Sequence, residues 1–159
     1  MARNPSLQIT SQLWQTLLAE LCRRTEGHHE SGAFLLGHAD DRGRRVAQIV
    51  YYDDLDPNAY ETGVVIMHAP SFGKLWDLCR TCKLSVVADI HVHPEEAFQS
   101  FSDRDNPMIA QRGHLALIVP DFASPPVRME SLGFFEYLGE HRWRNLGGKR
   151  MTRFLKIIK

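Results

Sequence analysis

With 159 residues, 43% of them hydrophobic and 24% charged, the chain is long enough to bury one sizeable core and too short for two, so a single domain over residues 1–159 is expected. Nineteen Lys and Arg offset nineteen Asp and Glu, which removes the broad positive field of a protein that grips nucleic acid through its phosphates. No apolar run approaches the ~18–20 residues of a membrane span, residues 1–13 are too polar for the apolar stretch of an export signal, and Cys22, Cys79 and Cys82 are an odd set for a disulfide framework; the expectation is a cytoplasmic protein with reduced thiols that engages neither nucleic acid nor membrane.

Ser11 is placed to cap a helix in which Leu13, Trp14, Leu17, Leu18, Leu21 and Cys22 recur as one apolar stripe. After Gly27, residues 33–36 read as a buried strand, Asp40-Asp41-Arg42-Gly43 as a hairpin turn, and 46–52 as its partner. Residues 53–61, with Asp56-Pro57-Asn58, read as a loop and 64–67 as a short strand. Over 70–83, Phe72, Leu75, Trp76, Leu78 and Cys79 line one side of a second helix, which assigns the aromatic rings to the core and Cys79 and Cys82 to packing on adjoining turns.

Residues 84–92 are rich in Val and Ile and run into His91-Val92-His93-Pro94, where the proline ends the strand. A short helix over 103–111, a strand over 115–119, a loop at Pro125-Pro126 and closing strands over 132–137, 143–146 and 154–158 follow, with Leu146-Gly147-Gly148 as a hairpin turn. Mixed order without a βαβ repeat indicates an α+β fold: a curved mixed, largely antiparallel β-sheet flanked by helices.

His91 and His93 alternate with Val92, so an extended strand sends both imidazoles to one face, about 6.6–7 Å apart along the backbone. Two neutral nitrogen donors suit zinc, and a carboxylate as third ligand leaves the fourth tetrahedral position open, as hydrolytic sites require. Asp103 and Asp105, just downstream of Ser100 and Ser102, are the carboxylate candidates. A His-x-His pair alone more often only hydrogen-bonds. Here it is joined by Glu30-Ser31-Gly32 ahead of a strand and by Ser-x-x-Asp after a short loop.

Together these elements resemble the JAB/MPN (JAMM) family of zinc metallo-isopeptidases, in particular its small stand-alone bacterial type, over nearly the whole chain. The resemblance implies that family's fold, with its cytidine deaminase-like layering. It also implies Zn2+ held by His91, His93 and an aspartate, Glu30 as general acid/base, and a serine donating to the oxyanion. The usual spacing from the second histidine falls on Arg104, which cannot ligate, so the loop is one residue shorter, giving Ser100 and Asp103, or one longer, giving Ser102 and Asp105. Asp103-Arg104 followed by Pro107-Met108-Ile109 resembles the helix start of the small bacterial members and favours Asp103 with Ser100. Glu95 and Glu96 stand where glycines are frequent in that family.

The activity so implied is cleavage after the C-terminal glycine of a ubiquitin-like protein, as deconjugation or precursor processing. Activating and conjugating enzymes of the same operon would be its partners, in some cases in an antiphage pathway. The alternatives are a sulfur-carrier-processing peptidase and a catalytically silent scaffold; scaffold members usually lack the ligands that Glu30, His91, His93 and the aspartate retain here.

Other features have plainer readings. His28 and His29 beside Glu30, His68 and His114 are expected to be solvated, capping or core histidines. Asp53, Asp54, Asp56 and Glu61 with Glu95 and Glu96 form a candidate negative rim for a basic substrate tail. Residues 141–159 carry seven Lys or Arg and no acid, leaving twelve basic against nineteen acidic side chains before them, and are expected to pair with that acidic body.

Overall fold

The computed structural model describes residues 4–159; the first three positions of the N-terminal stretch discussed above lie outside the described residues. The chain runs β1 (Leu7–Thr10), α1 (Ser11–Arg24), β2 (Gly32–Asp40), β3 (Gly43–Tyr51), α2 (Tyr52–Leu55), α3 (Ala69–Cys82), β4 (Ser85–Val92), α4 (Phe101–Asp105), β5 (Leu115–Val119), β6 (Gly133–Gly139), β7 (Arg142–Asn145), α5 (Met151–Phe154) and β8 (Leu155–Ile158). The strands form one curled eight-stranded sheet in the order β7-β6-β5-β4-β2-β3-β1-β8. It is mixed and mostly antiparallel, with parallel pairs at β4–β5, β1–β3 and β1–β8, so the expected α+β class holds.

The apolar run at 33–36 has a simple cause: β2 is covered on both faces. Ala33 and Leu35 point into a core shared with Leu17 and Leu21 of α1, Ile90 of β4 and Leu117 of β5. Phe34 and Leu36 point into a second core with Tyr52, Leu55, Leu75 and Cys79 beneath α2 and α3. Each fully buried leucine contributes about 1.5–3 kcal/mol, and this two-sided cover makes β2 and β4 the rigid centre of the molecule.

Several local expectations are corrected. The cap of α1 is Thr10, whose Oγ1 accepts the Leu13 N–H at 3.2 Å, one residue ahead of Ser11. Strand β1 is additional to the expected elements: its alternation of Leu7 and Ile9 with Gln8 and Thr10 is only four residues long, and it is held between two parallel partners, β3 at Leu7↔Arg44 and β8 from Leu7↔Leu155 to Thr10↔Ile158. Residues 64–67 are irregular, since the Val65 N–H and the Ile66 N–H are spent on Glu30 Oε2 and Ala59 O. The helix expected over 103–111 is the single turn Phe101–Asp105, because Pro107 drives the residue before it out of the helical region. Trp76 is 41% exposed instead of buried.

Leu146-Gly147-Gly148 is no hairpin. The chain leaves β7 on one edge of the sheet and reaches β8 on the opposite edge, crossing the molecule with Leu146, Met151 and Leu155 in the core. In the basic tail, Arg142 and Arg144 pair with Glu140 and Glu136 of the adjoining β6–β7 segment. No helix among the described residues is long and apolar enough to cross a membrane, and the three cysteines are free thiols.

Candidate metal centre

The end of β4 is held from both sides. The Val92 N–H donates to Ser31 O at 2.9 Å and the His93 N–H to Val119 O at 2.9 Å, while His93 O and Glu95 O accept the Phe122 and Asp121 N–H groups. His91 and His93 therefore leave a fixed backbone on one face, and their Nε2 atoms stand 3.0 Å apart. Both are largely buried.

Asp103 is delivered by a helix start. Ser100 is the N-cap of α4: its Oγ accepts the Asp103 N–H at 3.1 Å, and Asp103 Oδ2 accepts the Ser100 N–H at 2.9 Å. Ser-x-x-Asp is thus a capping box, a device that fixes a side chain three residues along by satisfying two otherwise orphaned donors. The result puts Asp103 Oδ1 3.4 Å from His91 Nε2 and Oδ2 3.2 Å from His93 Nε2. Asp105, at the far end of the turn, is exposed and outside this group.

These donors fit a divalent cation. A tetrahedral site with bonds of about 2.0–2.1 Å has donor–donor edges of about 3.3–3.4 Å, close to the 3.0, 3.2 and 3.4 Å separations here. Two imidazole nitrogens that close repel through their lone pairs unless a proton or a cation lies between them. The electrostatics agree. Burial opposes charge on His91, but the hydrogen bond and charge of Asp103 outweigh it and raise its pKa. Burial likewise opposes charge on Asp103, yet His91, His93 and the Ser100 N–H hold its carboxyl well below the ordinary range. The pocket favours positive charge among these three side chains.

Glu30 arrives through strand register. Gly32 pairs with His91 across β2–β4, and continuing that antiparallel register sets Glu30 opposite His93, with Oε1 3.9 Å from His93 Nε2. Its other oxygen accepts the Val65 N–H at 3.2 Å, its own N–H donates to Gly63 O at 2.9 Å, and the neighbouring Ser31 Oγ donates to Leu21 O at 2.7 Å. Gly32 is required by crowding: a Cβ there would lie 2.7 Å from Ile90 O and against the Tyr52 ring. All five predicted site residues, Glu30, His91, His93, Ser100 and Asp103, are therefore gathered in one place.

Of the six large apolar side chains exposed among the described residues, Val64 and Ile66 flank Val65, the residue that holds Glu30, and Phe98 and Phe101 flank Ser100. Phe98 also meets the His93 ring edge-on at 5.9 Å between centroids. The expected acidic rim is only partly available. Asp53 and Asp54 are tied to Arg24 at 2.9 and 3.0 Å, and Asp56 is buried, accepting from the His68 ring and backbone and from the Asn58 N–H. Glu95 and Glu96 are exposed.

Two features escaped the sequence reading. Asp89 lies two residues before His91 on β4 and is paired with His114 Nε2 in a fully buried contact behind the site; the alternation Asp89-x-His91-x-His93 was the available signal. The clasp of Glu30 by residues 63–65 is a backbone interaction and has no side-chain signature.

No family model matches the chain. It is 24% identical over 142 residues to "Probable metalloprotease y4jG" of Sinorhizobium fredii, spanning 89% of this chain and 88% of that one. Its fold is similar to the solution structure of protein DSY2949 from Desulfitobacterium hafniense (TM-score 0.65, 17% identity, 95% of this chain and 93% of that one). It is also similar to that of a protein from Salinibacter ruber (TM-score 0.58, 19% identity, 87% of each chain). The chain thus has a metalloprotease-type relative that aligns along most of its length.

Proposed function

We propose that this protein is a zinc-dependent peptidase or isopeptidase of JAB/MPN type that cleaves after the C-terminal glycine of a ubiquitin-like protein. The observation that carries the reading is the convergence of His91, His93 and Asp103 within 3.0–3.4 Å of one another, with Glu30 3.9 Å from His93. The relative named as a probable metalloprotease supports it.

His91 Nε2, His93 Nε2 and an Asp103 oxygen would hold the ion; when bound, zinc supplies Lewis acidity to a water and to the substrate carbonyl. With Oε2 tied to the Val65 N–H, Glu30 keeps Oε1 free to take a proton from water as the water oxygen bonds to the carbonyl carbon. The same oxygen then gives that proton to the amine as the C–N bond breaks. Ser100 Oγ spends a lone pair on the Asp103 N–H and retains its hydroxyl hydrogen to donate to the carbonyl oxygen as negative charge develops there. Val64, Ile66, Phe98 and Phe101 suit a substrate tail carrying apolar side chains next to the cleaved glycine. Activating and conjugating enzymes for the same modifier are the partners this reading proposes.

The test is cleavage of a ubiquitin-like protein carrying a fluorogenic amide on its terminal glycine, with and without chelator, by native protein and Glu30→Gln. Chelation should abolish cleavage and the substitution should reduce kcat by about 10²–10⁴-fold. Full activity in Glu30→Gln, or activity indifferent to chelator, overturns the reading.

A further inference from the structure

A second group of metal-binding side chains lies at the end of α1, built from residues the proposed mechanism does not use. Glu26, His28 and His29 present ligand atoms that all lie within 4.8 Å of one another. Glu26 Oε2 is 3.9 Å from His28 Nε2 and 3.9 Å from His29 Nε2.

The tautomers give this geometry its meaning. His28 Nδ1 lies 2.9 Å from Glu26 O and His29 Nδ1 lies 2.8 Å from Glu30 O. A carbonyl oxygen only accepts, so each Nδ1 carries a hydrogen, and in the neutral ring the Nε2 lone pair is the one left to ligate beside the same carboxylate. Metal-ligating histidines show this arrangement: the distal ring N–H bound to a backbone carbonyl, the tautomer and ring orientation set in advance. The His29 ring is further held by stacking on Tyr60 at 5.2 Å between centroids, and Glu26 and His29 line a cavity of about 450 Å3 in which Arg24 is already paired with Asp53.

We infer that Glu26, His28 and His29 form a second divalent-metal site, of two imidazoles and one carboxylate, suited to Zn2+ or its borderline neighbours Ni2+ and Cu2+. His28 and Glu26 are exposed, so the site exchanges readily with solvent and binds more weakly than the buried centre. The inference does not depend on any catalytic role for His91, His93 and Asp103.

The experiment is calorimetric titration of the full chain, free of any polyhistidine tag and stripped of metal, with Zn2+. Native protein should bind in two steps. His28→Ala, whose side chain is 69% exposed and meets the His29 ring edge-on, should weaken the second step by about tenfold or more and leave the first unchanged. His91→Ala combined with His93→Ala should remove the first step and leave the second, which separates failure of this inference from failure of the proposed function. Nitrogen-15 spectra at saturation should move the His28 and His29 Nε2 resonances with both Nδ1–H groups intact. A single binding step in native protein, a second step unaffected by His28→Ala, or metal on Nδ1 would overturn the inference.

Discussion

Ser100 caps α4 in this structure and has a second task under the proposed mechanism, and substitution can part the two. Its Oγ accepts the Asp103 N–H at 3.1 Å, which holds the proposed ligand, and its hydroxyl hydrogen is the proposed donor to the developing oxyanion. Ser100→Ala loses both. Ser100→Gly loses the hydroxyl but keeps a good helix start, since glycine at an N-cap costs only a few tenths of a kcal/mol against about 0.5–2 for alanine. If that capping energy orders Asp103, Ser100→Ala should weaken zinc binding by about 2–30-fold and Ser100→Gly by less than about twofold. At saturating zinc both should lose about 10²–10³ in kcat, the usual effect of removing one oxyanion donor, and Ser100→Thr should retain most of it. The assays are metal competition with a chromophoric chelator and cleavage kinetics at saturating zinc. Kcat for Ser100→Gly within threefold of native would refute the donor role, and native zinc affinity in Ser100→Ala would refute the capping argument.

Asp103→Asn should lower zinc affinity by more than ~100-fold, beyond the range typical of outer-shell changes, whereas Asp105→Asn, exposed and outside the cluster, should bind as native does; equal losses in the two would reassign the ligand. Asp56 is held down to about 2 by the His68 backbone N–H ahead of its other partners. A lowered folded-state value stabilises above the ordinary carboxylate pKa of ~4 and is lost as pH falls from ~4 towards 2, so Asp56→Asn should cost up to ~2 kcal/mol in urea melts at pH 7 and little at pH 2. A deficit of the same size at both pH values would contradict this. Gly32→Ala drives a Cβ to 2.7 Å from Ile90 O and should cost about 1–3 kcal/mol, lowering Tm by ~2–4 °C per kcal/mol; an unchanged Tm would mean that β2 and β4 separate there freely.

Residues whose meaning is local were legible in the chain. Leu13, Trp14, Leu17 and Leu21 announce α1, the run 115–119 announces β5 to the residue, and Asp40-Asp41-Arg42-Gly43 announces its turn. Strand alternation alone aims His91 and His93 together, and a helix start after Ser100 or Ser102 aims one carboxylate back at the strand end, because both follow from the geometry of a few adjacent peptide units. Ser-x-x-Asp occurs twice, so the preference for Asp103 over Asp105 comes from the resemblance, and the capping box at Ser100 is what turns Asp103 back.

What depends on distant partners was not legible. Strand β1 has an alternation only four residues long and is defined by its pairing with β3 and with β8, the latter nearly the whole chain away. Gly147-Gly148 imitates a tight turn, yet Leu146 and Met151 on either side have their apolar contacts across the core, and that burial decides the path. Glu30 is singled out through the resemblance, not by its own surroundings in the chain; the β2–β4 register is what sets it beside His93, where the Val65 N–H fixes one of its oxygens. The amino-acid order determined which donors exist and which face each takes within its own element. Only the pairing of strands and the closing of loops decided that they meet, since hydrogen-bond register and two-sided burial are properties of the assembled sheet.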